Sequence, residues 1–246
     1  MSKARLRVFA GPNGSGKTTL FEEFSKKYKS GVFLNADYIE KELTTKGYLD
    51  LSDYNLTLSS EDLHIFFETQ RAKSLLKKAS TDNQHIDFEI KENLIFDRKK
   101  SSHSYEGALI SSFLRHHLLD QNVDFCFETV MSHPSKIDEM IEAKNKGFKT
   151  YLYYICIDDP EINISRVENR VQKGGHFVES DRIRKRYYET LKNLIGMVEQ
   201  SDKCYFFDNS NEFKMISKIT EVVLELLVNT EELPDWFNKY LLCHYV

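Results

Sequence analysis

The run Gly11-Pro12-Asn13-Gly14-Ser15-Gly16-Lys17-Thr18-Thr19 has the residue types and spacing of a phosphate cradle. Its glycines allow successive backbone N–H groups to curl around phosphate oxygens, Lys17 can reach the β- and γ-phosphates, and the Thr18 hydroxyl can enter the shell of a magnesium ion. A helix opening near Gly16 would add its positive end to the same anion. The chemistry implied is the handling of a nucleoside triphosphate with a magnesium ion. Such chemistry also needs a group to position or deprotonate an acceptor and cations to offset charge on the transferring phosphoryl group.

Asp37, in Asn35-Ala-Asp37, falls where a second strand should end, at the edge that forms the ligand crevice of open α/β sheets. It can serve as general base for an acceptor hydroxyl, or it can be the N-cap of the helix that follows, and the roles are compatible. Glu128-Thr129 closes a third strand at the same edge, where a carboxylate and a hydroxyl could approach magnesium or substrate. For cations, the stretch Arg166-Val-Glu-Asn-Arg170-Val-Gln-Lys-Gly174-Gly175-His176, followed by Arg182, Arg184 and Arg186, has the composition of an arginine-bearing lid with a glycine hinge. Without the glycine loop it would read as a solvated basic helix end. His133 reads as a loop residue, and His176 as a lid residue of unassigned role.

These residues need a scaffold, and the pattern supplies one. Strand-like runs at Leu6–Ala10, Val32–Asn35, Val123–Glu128, Lys149–Ile157 and Lys203–Phe207 are separated by stretches of helical periodicity. The alternation predicts a mainly parallel five-stranded sheet in a three-layer α/β/α architecture. Helices are expected at 18–29, 38–45, 61–79, 105–120, 134–146, 160–173, 179–200 and 212–228. Residues 1–246 are expected to form one domain, interrupted by an insertion at 43–104 that is either a substrate cap or a structural decoration. The apolar segment 234–246 is expected to dock on the body, with a partner surface as the minority reading.

Composition sets bounds. The 246 residues carry a net charge of −4 and are 29% charged, which makes no global case for nucleic acid. Lys91, Arg98, Lys99 and Lys100 leave a local basic groove open. No apolar run approaches a membrane span, and a cytoplasmic protein is expected. Cys126, Cys156, Cys204 and Cys243 are far apart and lack metal-ligand pairing, so they read as small core hydrophobes.

Taken in order, GPNGSGKTT, NAD, FETVMS and RVENRVQKGGHFV ahead of RIRKRYYETLKNL resemble the zeta toxin family of phosphotransferases. The resemblance implies a P-loop kinase core, ATP or GTP with magnesium as donor, and UDP-N-acetylglucosamine, phosphorylated on the sugar 3′-hydroxyl, as the characterised acceptor. It further implies that Lys17 and Thr18 bind triphosphate and metal, Asp37 is the base, Glu128 and Thr129 contact substrate, and Arg166 and Arg170 are the lid cations, with Arg186 possible. Some members work with a small antitoxin that blocks the nucleotide site. Three activities are compatible with these residues: a kinase acting on a nucleotide sugar or similar small molecule, a nucleoside, nucleotide or polynucleotide kinase, and a non-catalytic nucleotide-binding regulator.

Overall fold

Strand β1, Arg5–Ala10, is buried at every position after Arg5, as a strand covered on both faces must be. It begins a computed structural model that describes residues 3–97, 101–175 and 177–245. Arg98, Lys99, Lys100 and His176, for which a groove and a lid role were expected, lie outside the described residues. In chain order the elements are β1, α1 (Lys17–Lys27), β2 (Val32–Leu34), α2 (Ala36–Lys46), β3 (Tyr48–Asp50), α3 (Ser60–Phe67), α4 (Gln70–Thr81), β4 (Glu89–Lys91) and β5 (Leu94–Phe96). They continue with α5 (Ser104–Gln121), β6 (Phe125–Thr129), α6 (Ser135–Asn145), β7 (Lys149–Cys156), α7 (Pro160–Gln172), α8 (Ser180–Lys192), α9 (Leu194–Glu199), β8 (Lys203–Asp208), β9 (Lys214–Thr220), β10 (Val223–Leu226) and α10 (Asp235–Tyr240). The chain divides into two compact units, one of residues 1–30 with 126–246 and one of residues 31–125.

In the first unit the strands run in the order β10-β9-β8-β7-β1-β6. β1 pairs parallel to β7 from Arg5–Lys149 to Ala10–Tyr154, and β7 pairs parallel to β8. The chain thus leaves β1 with later strands on either side of it, which makes the end of β1 a switch point of the sheet, where open α/β folds bind ligands. Three of the four cysteines are buried in β6, β7 and β8, and burial pushes each thiol up to about 12.

The helix expected over 212–228 is instead an antiparallel hairpin, β9 and β10, that extends the parallel core beyond five strands. Its turn is built by Glu221 and Val222, both at positive φ (54° and 68°), in place of the Asn-Gly or Gly-Gly pair that normally marks such a turn. The expected helix over 179–200 is two helices, parted at Asn193.

In the second unit, β3, β5 and β4 form a small antiparallel sheet. The expected single helix over 61–79 divides into α3 and α4 because Thr69 turns its hydroxyl to the Ala72 N–H and starts a new helix. α3 opens on a capping box of Ser59 and Asp62. α5 is buried along most of its length, and Gly107 permits its close approach to α2, because a Cβ there would stand 2.6 Å from the Ala36 carbonyl oxygen. No helix among the described residues is long and apolar enough to cross a membrane.

Candidate nucleotide site

The loop after β1 is closed at its base by a hydrogen bond from the Gly11 N–H to the Thr129 carbonyl (3.3 Å) and turned by one from the Ser15 N–H to the Pro12 carbonyl (3.3 Å). Its glycines are required by contact as well as by conformation. A Cβ on Gly11 would lie 2.0 Å from the Ile155 carbonyl oxygen, and one on Gly14, at φ +73°, would lie 2.7 Å from that of Asn163.

Helix α1 then begins with an unusual electrostatic choice. Gly16 occupies its N-cap in the left-handed region (φ 104°), with no side chain to satisfy the first N–H groups, and the first turn holds no acid. Helix N-termini ordinarily recruit a capping oxygen or a carboxylate. Leaving these donors uncapped and placing Lys17 beside them makes a site for an anion supplied from outside. The Lys17 Nζ donates to the carbonyls of Gly11 (3.0 Å) and Pro12 (2.8 Å), which folds the ammonium back over the loop.

Thr18 donates its hydroxyl to Glu128 Oε2 at 3.1 Å, so α1 and the end of β6 bring a hydroxyl and a carboxylate together. This hard-oxygen pair fits the donor preference of magnesium. Thr129 is placed differently from Glu128. Its hydroxyl accepts from the Met131 N–H (3.0 Å) and shapes the chain that leaves β6. Thr19 is exposed in the same first turn of α1. His133 is exposed and its Nδ1 accepts from the Ser135 N–H, which is a helix-start role.

In the second unit, Asp37 is not the N-cap of its helix. Asn35 takes that place, its Oδ1 accepting from the N–H groups of Asp37 (2.9 Å) and Tyr38 (3.3 Å), and the helix starts at Ala36. The capping alternative for Asp37 is thereby overturned, and its exposed carboxylate stands in the first turn of α2.

The lid stretch forms a hairpin of α7 and α8 around a small core of Ile164, Val167 and Ile183. Its arginines do not act alike. Arg184 makes a forked ion pair with Glu161 (2.6 and 2.9 Å) and a further bond to Asp181, so it braces the hairpin rather than facing a ligand. Arg166 donates to the Asn209 carbonyl at 3.0 Å. Arg170 is exposed in the last turn of α7, where its carbonyl accepts from Lys173 and Gly175 N–H groups.

Two residues that the motifs did not flag stand against the loop. Asn163, fully buried on α7, donates its amide to the Asn13 carbonyl (2.6 Å), and Asn209, just past β8, donates to the Ser15 carbonyl (2.9 Å). Asn209 follows the end of a strand, as Asp37 does and as Glu128-Thr129 close one, and the same positional rule would have found it. Asn163 carried a weaker signal, an amide set between two isoleucines in a helix.

The described part of the C-terminal segment, 234–245, is held at the same sheet. The Trp236 indole N–H donates to Asp208 (3.0 Å), its backbone N–H donates to Asp158 (3.0 Å), and Phe237 packs on Phe206. Loss of solvation raises the Asp158 carboxyl above the ordinary range; the Trp236 N–H opposes that shift, and the charge of Asp208 adds to it.

The zeta toxin family model matches residues 98–218, a span that holds Glu128, Thr129, Arg166 and Arg170 but not the phosphate loop. Over 74 residues, 30% of its length, the chain is 40% identical to an uncharacterized protein of Haemophilus influenzae, 53% of which is covered. Among solved structures, the AvrRxo1-ORF1:ORF2 complex aligns with 93% of this chain and 62% of that one at a TM-score of 0.56 and 13% identity. The AvrRxo1-ORF1:ORF2 structure with ATP aligns with 92% and 61% at 0.53 and 15%. These likenesses are of fold, and the chain spans about half to three-fifths of the length of the relatives it matches.

Proposed function

Starting from a chain whose residues 98–218 carry the zeta toxin pattern, we propose that the protein is an ATP-dependent kinase that phosphorylates a hydroxyl of a small molecule, a nucleotide sugar of the UDP-N-acetylglucosamine kind. The observation that carries this reading is the start of α1, where uncapped N–H groups and Lys17 await an anion and Thr18 stands beside Glu128. Gly11 to Thr19 would hold the triphosphate, and the hydroxyl of Thr18 with the carboxylate of Glu128 would hold Mg2+, which supplies charge neutralisation on the phosphates. That a solved structure of similar fold contains ATP supports ATP as donor.

Asp37 is assigned as base. An acceptor hydroxyl oxygen attacks the γ-phosphorus as its proton passes to the Asp37 carboxylate, and the bond between the γ-phosphorus and the β–γ bridging oxygen breaks to leave ADP. The release of Asp37 from capping duty supports this role. Glu128 and Thr129 are assigned to the substrate side, and Arg170 to the charge on the transferring group, with Arg166 beside it on α7. Catalysis of this kind is positioning and electrostatics rather than covalent chemistry. A small protein partner belongs to the same reading, because the AvrRxo1 structures are complexes with a second chain.

The test is incubation with MgATP and UDP-N-acetylglucosamine, followed by mass spectrometry of the sugar nucleotide. Addition of one phosphoryl group by the wild type, lost in Lys17→Ala and Asp37→Asn, is the expected result. An unmodified sugar with ATP bound would remove this acceptor, and unchanged product from Lys17→Ala would remove the loop from the reaction.

A further inference from the structure

The phosphate loop is gripped from outside at alternate carbonyls. Asn163 Nδ2 holds the carbonyl of Asn13, and Asn209 Nδ2 holds that of Ser15. Each carbonyl shares a planar trans peptide unit with the next residue's N–H, and in such a unit the C=O and N–H point in opposite directions. Fixing the Asn13 and Ser15 carbonyls against the two amides therefore aims the N–H groups of Gly14 and Gly16 away from them, toward the loop's other side. Phosphate-binding nests are made from oriented backbone donors of this kind.

Both amides are themselves immobilised. Asn163 is fully buried, and its backbone carbonyl is so close to Gly14 that no side chain fits there. Asn209 donates its own N–H to the Cys156 carbonyl at the end of β7 (2.9 Å), while its side-chain nitrogen would lie 2.8 Å from a Cβ on Gly16. Arg166 completes the circuit, since its guanidinium holds the Asn209 carbonyl from the same helix that carries Asn163.

We propose that Asn163 and Asn209 are positioning residues that set the peptide orientations of the phosphate loop, and that Arg166 acts on nucleotide affinity through Asn209. The inference rests on the nucleotide-binding part of the reading above and not on the acceptor or on transfer. It makes α7 part of the phosphate site, so that the helix bearing Arg170 is coupled to occupancy of the loop.

The experiment is a set of binding titrations with MgADP and with inorganic tripolyphosphate plus Mg2+, alongside thermal melts. ADP lacks the γ-phosphoryl group, so any contact of Arg166 with that group drops out. Asn163→Ala and Asn209→Ala should each weaken both ligands about tenfold, the scale of one hydrogen bond lost from an organised site. Arg166→Ala should weaken MgADP in the wild-type background and have no further effect in Asn209→Ala. Where Asn163→Ala proves too unstable, Asn163→Ser provides the milder truncation.

A lowered melting temperature with unchanged affinities would mean the amides are only structural, and would overturn the proposal. Additive effects of Arg166→Ala and Asn209→Ala would overturn the relay. Lys17→Ala separates this failure from that of the parent reading: unchanged MgADP binding in Lys17→Ala indicts the nucleotide site itself, whereas binding lost in Lys17→Ala but kept in both asparagine variants indicts only the positioning role.

Discussion

The phosphate loop and the α7–α8 hairpin lie in one compact unit and touch through Asn163, yet they are built on opposite principles. The loop works through its main chain. Gly11 and Gly14 leave no room for a side chain, and the carbonyls of Gly11, Pro12, Asn13 and Ser15 are all engaged. The hairpin works through side chains and is fixed at its root, where the Tyr187 hydroxyl donates to the carbonyls of Ile157 (2.8 Å) and Asp158 (2.9 Å) and Asn193 donates to that of Met131. Toward its tip, a Cβ on Gly174 would meet nothing within 4 Å, and Phe177 is 65% exposed. A rigid cradle beside a hairpin anchored at one end is the arrangement expected where one element must hold phosphate and the other must admit and release it.

The largest effect should come from Lys17, the cation proposed to meet the phosphates. Lys17→Ala is expected to abolish phosphoryl transfer in a product assay, and measurable transfer would deny the loop its role. Asp37→Asn should lower transfer about 10²-fold or more while leaving MgATP binding nearly intact, the usual result of removing a general base.

The glycines set the two regions against each other directly. Gly11→Ala should destabilise the protein strongly and remove nucleotide binding, because the new methyl collides with the Ile155 backbone. Gly174→Ala adds a methyl in open space at φ +84°, and should cost only the left-handed backbone penalty of about 1–2 kcal/mol. Thermal melts of the pair check this, and equal losses would erase the contrast between cradle and tip.

The smallest effect concerns chemical reactivity. Burial raises the Cys126, Cys156 and Cys204 thiols to about 12, while Cys243 is exposed. A thiol reagent at neutral pH should therefore label Cys243 in the native protein and all four cysteines after denaturation, with transfer unaffected by labelling.

The same contrast explains what could be read in the sequence. Main-chain function leaves a spelling, because only glycines survive where the chain turns at positive φ or meets another backbone, and β1, the loop and α1 were legible for that reason. Side-chain function leaves composition without partners. The arginines of α7 and α8 announced positive charge, but nothing in their spacing said that Arg184 would be taken by Glu161 or that Arg166 would hold Asn209. Asn35 and Asp37 are both competent caps two residues apart, and only the backbone decides between them. The β9–β10 hairpin was hidden because Glu221 and Val222 make its turn without the usual glycine or asparagine. The divisions at Thr69 and Asn193 were hidden because the apolar periodicity runs on across both.

The fate of the γ-phosphoryl group tests phosphoryl transfer most directly. A phosphorus NMR time course of the protein with MgATP and UDP-N-acetylglucosamine should show the γ-resonance declining as ADP and a new phosphomonoester resonance rise in equal amounts. Release of inorganic phosphate in place of the monoester, or an unchanged spectrum from protein that binds MgATP, would contradict it.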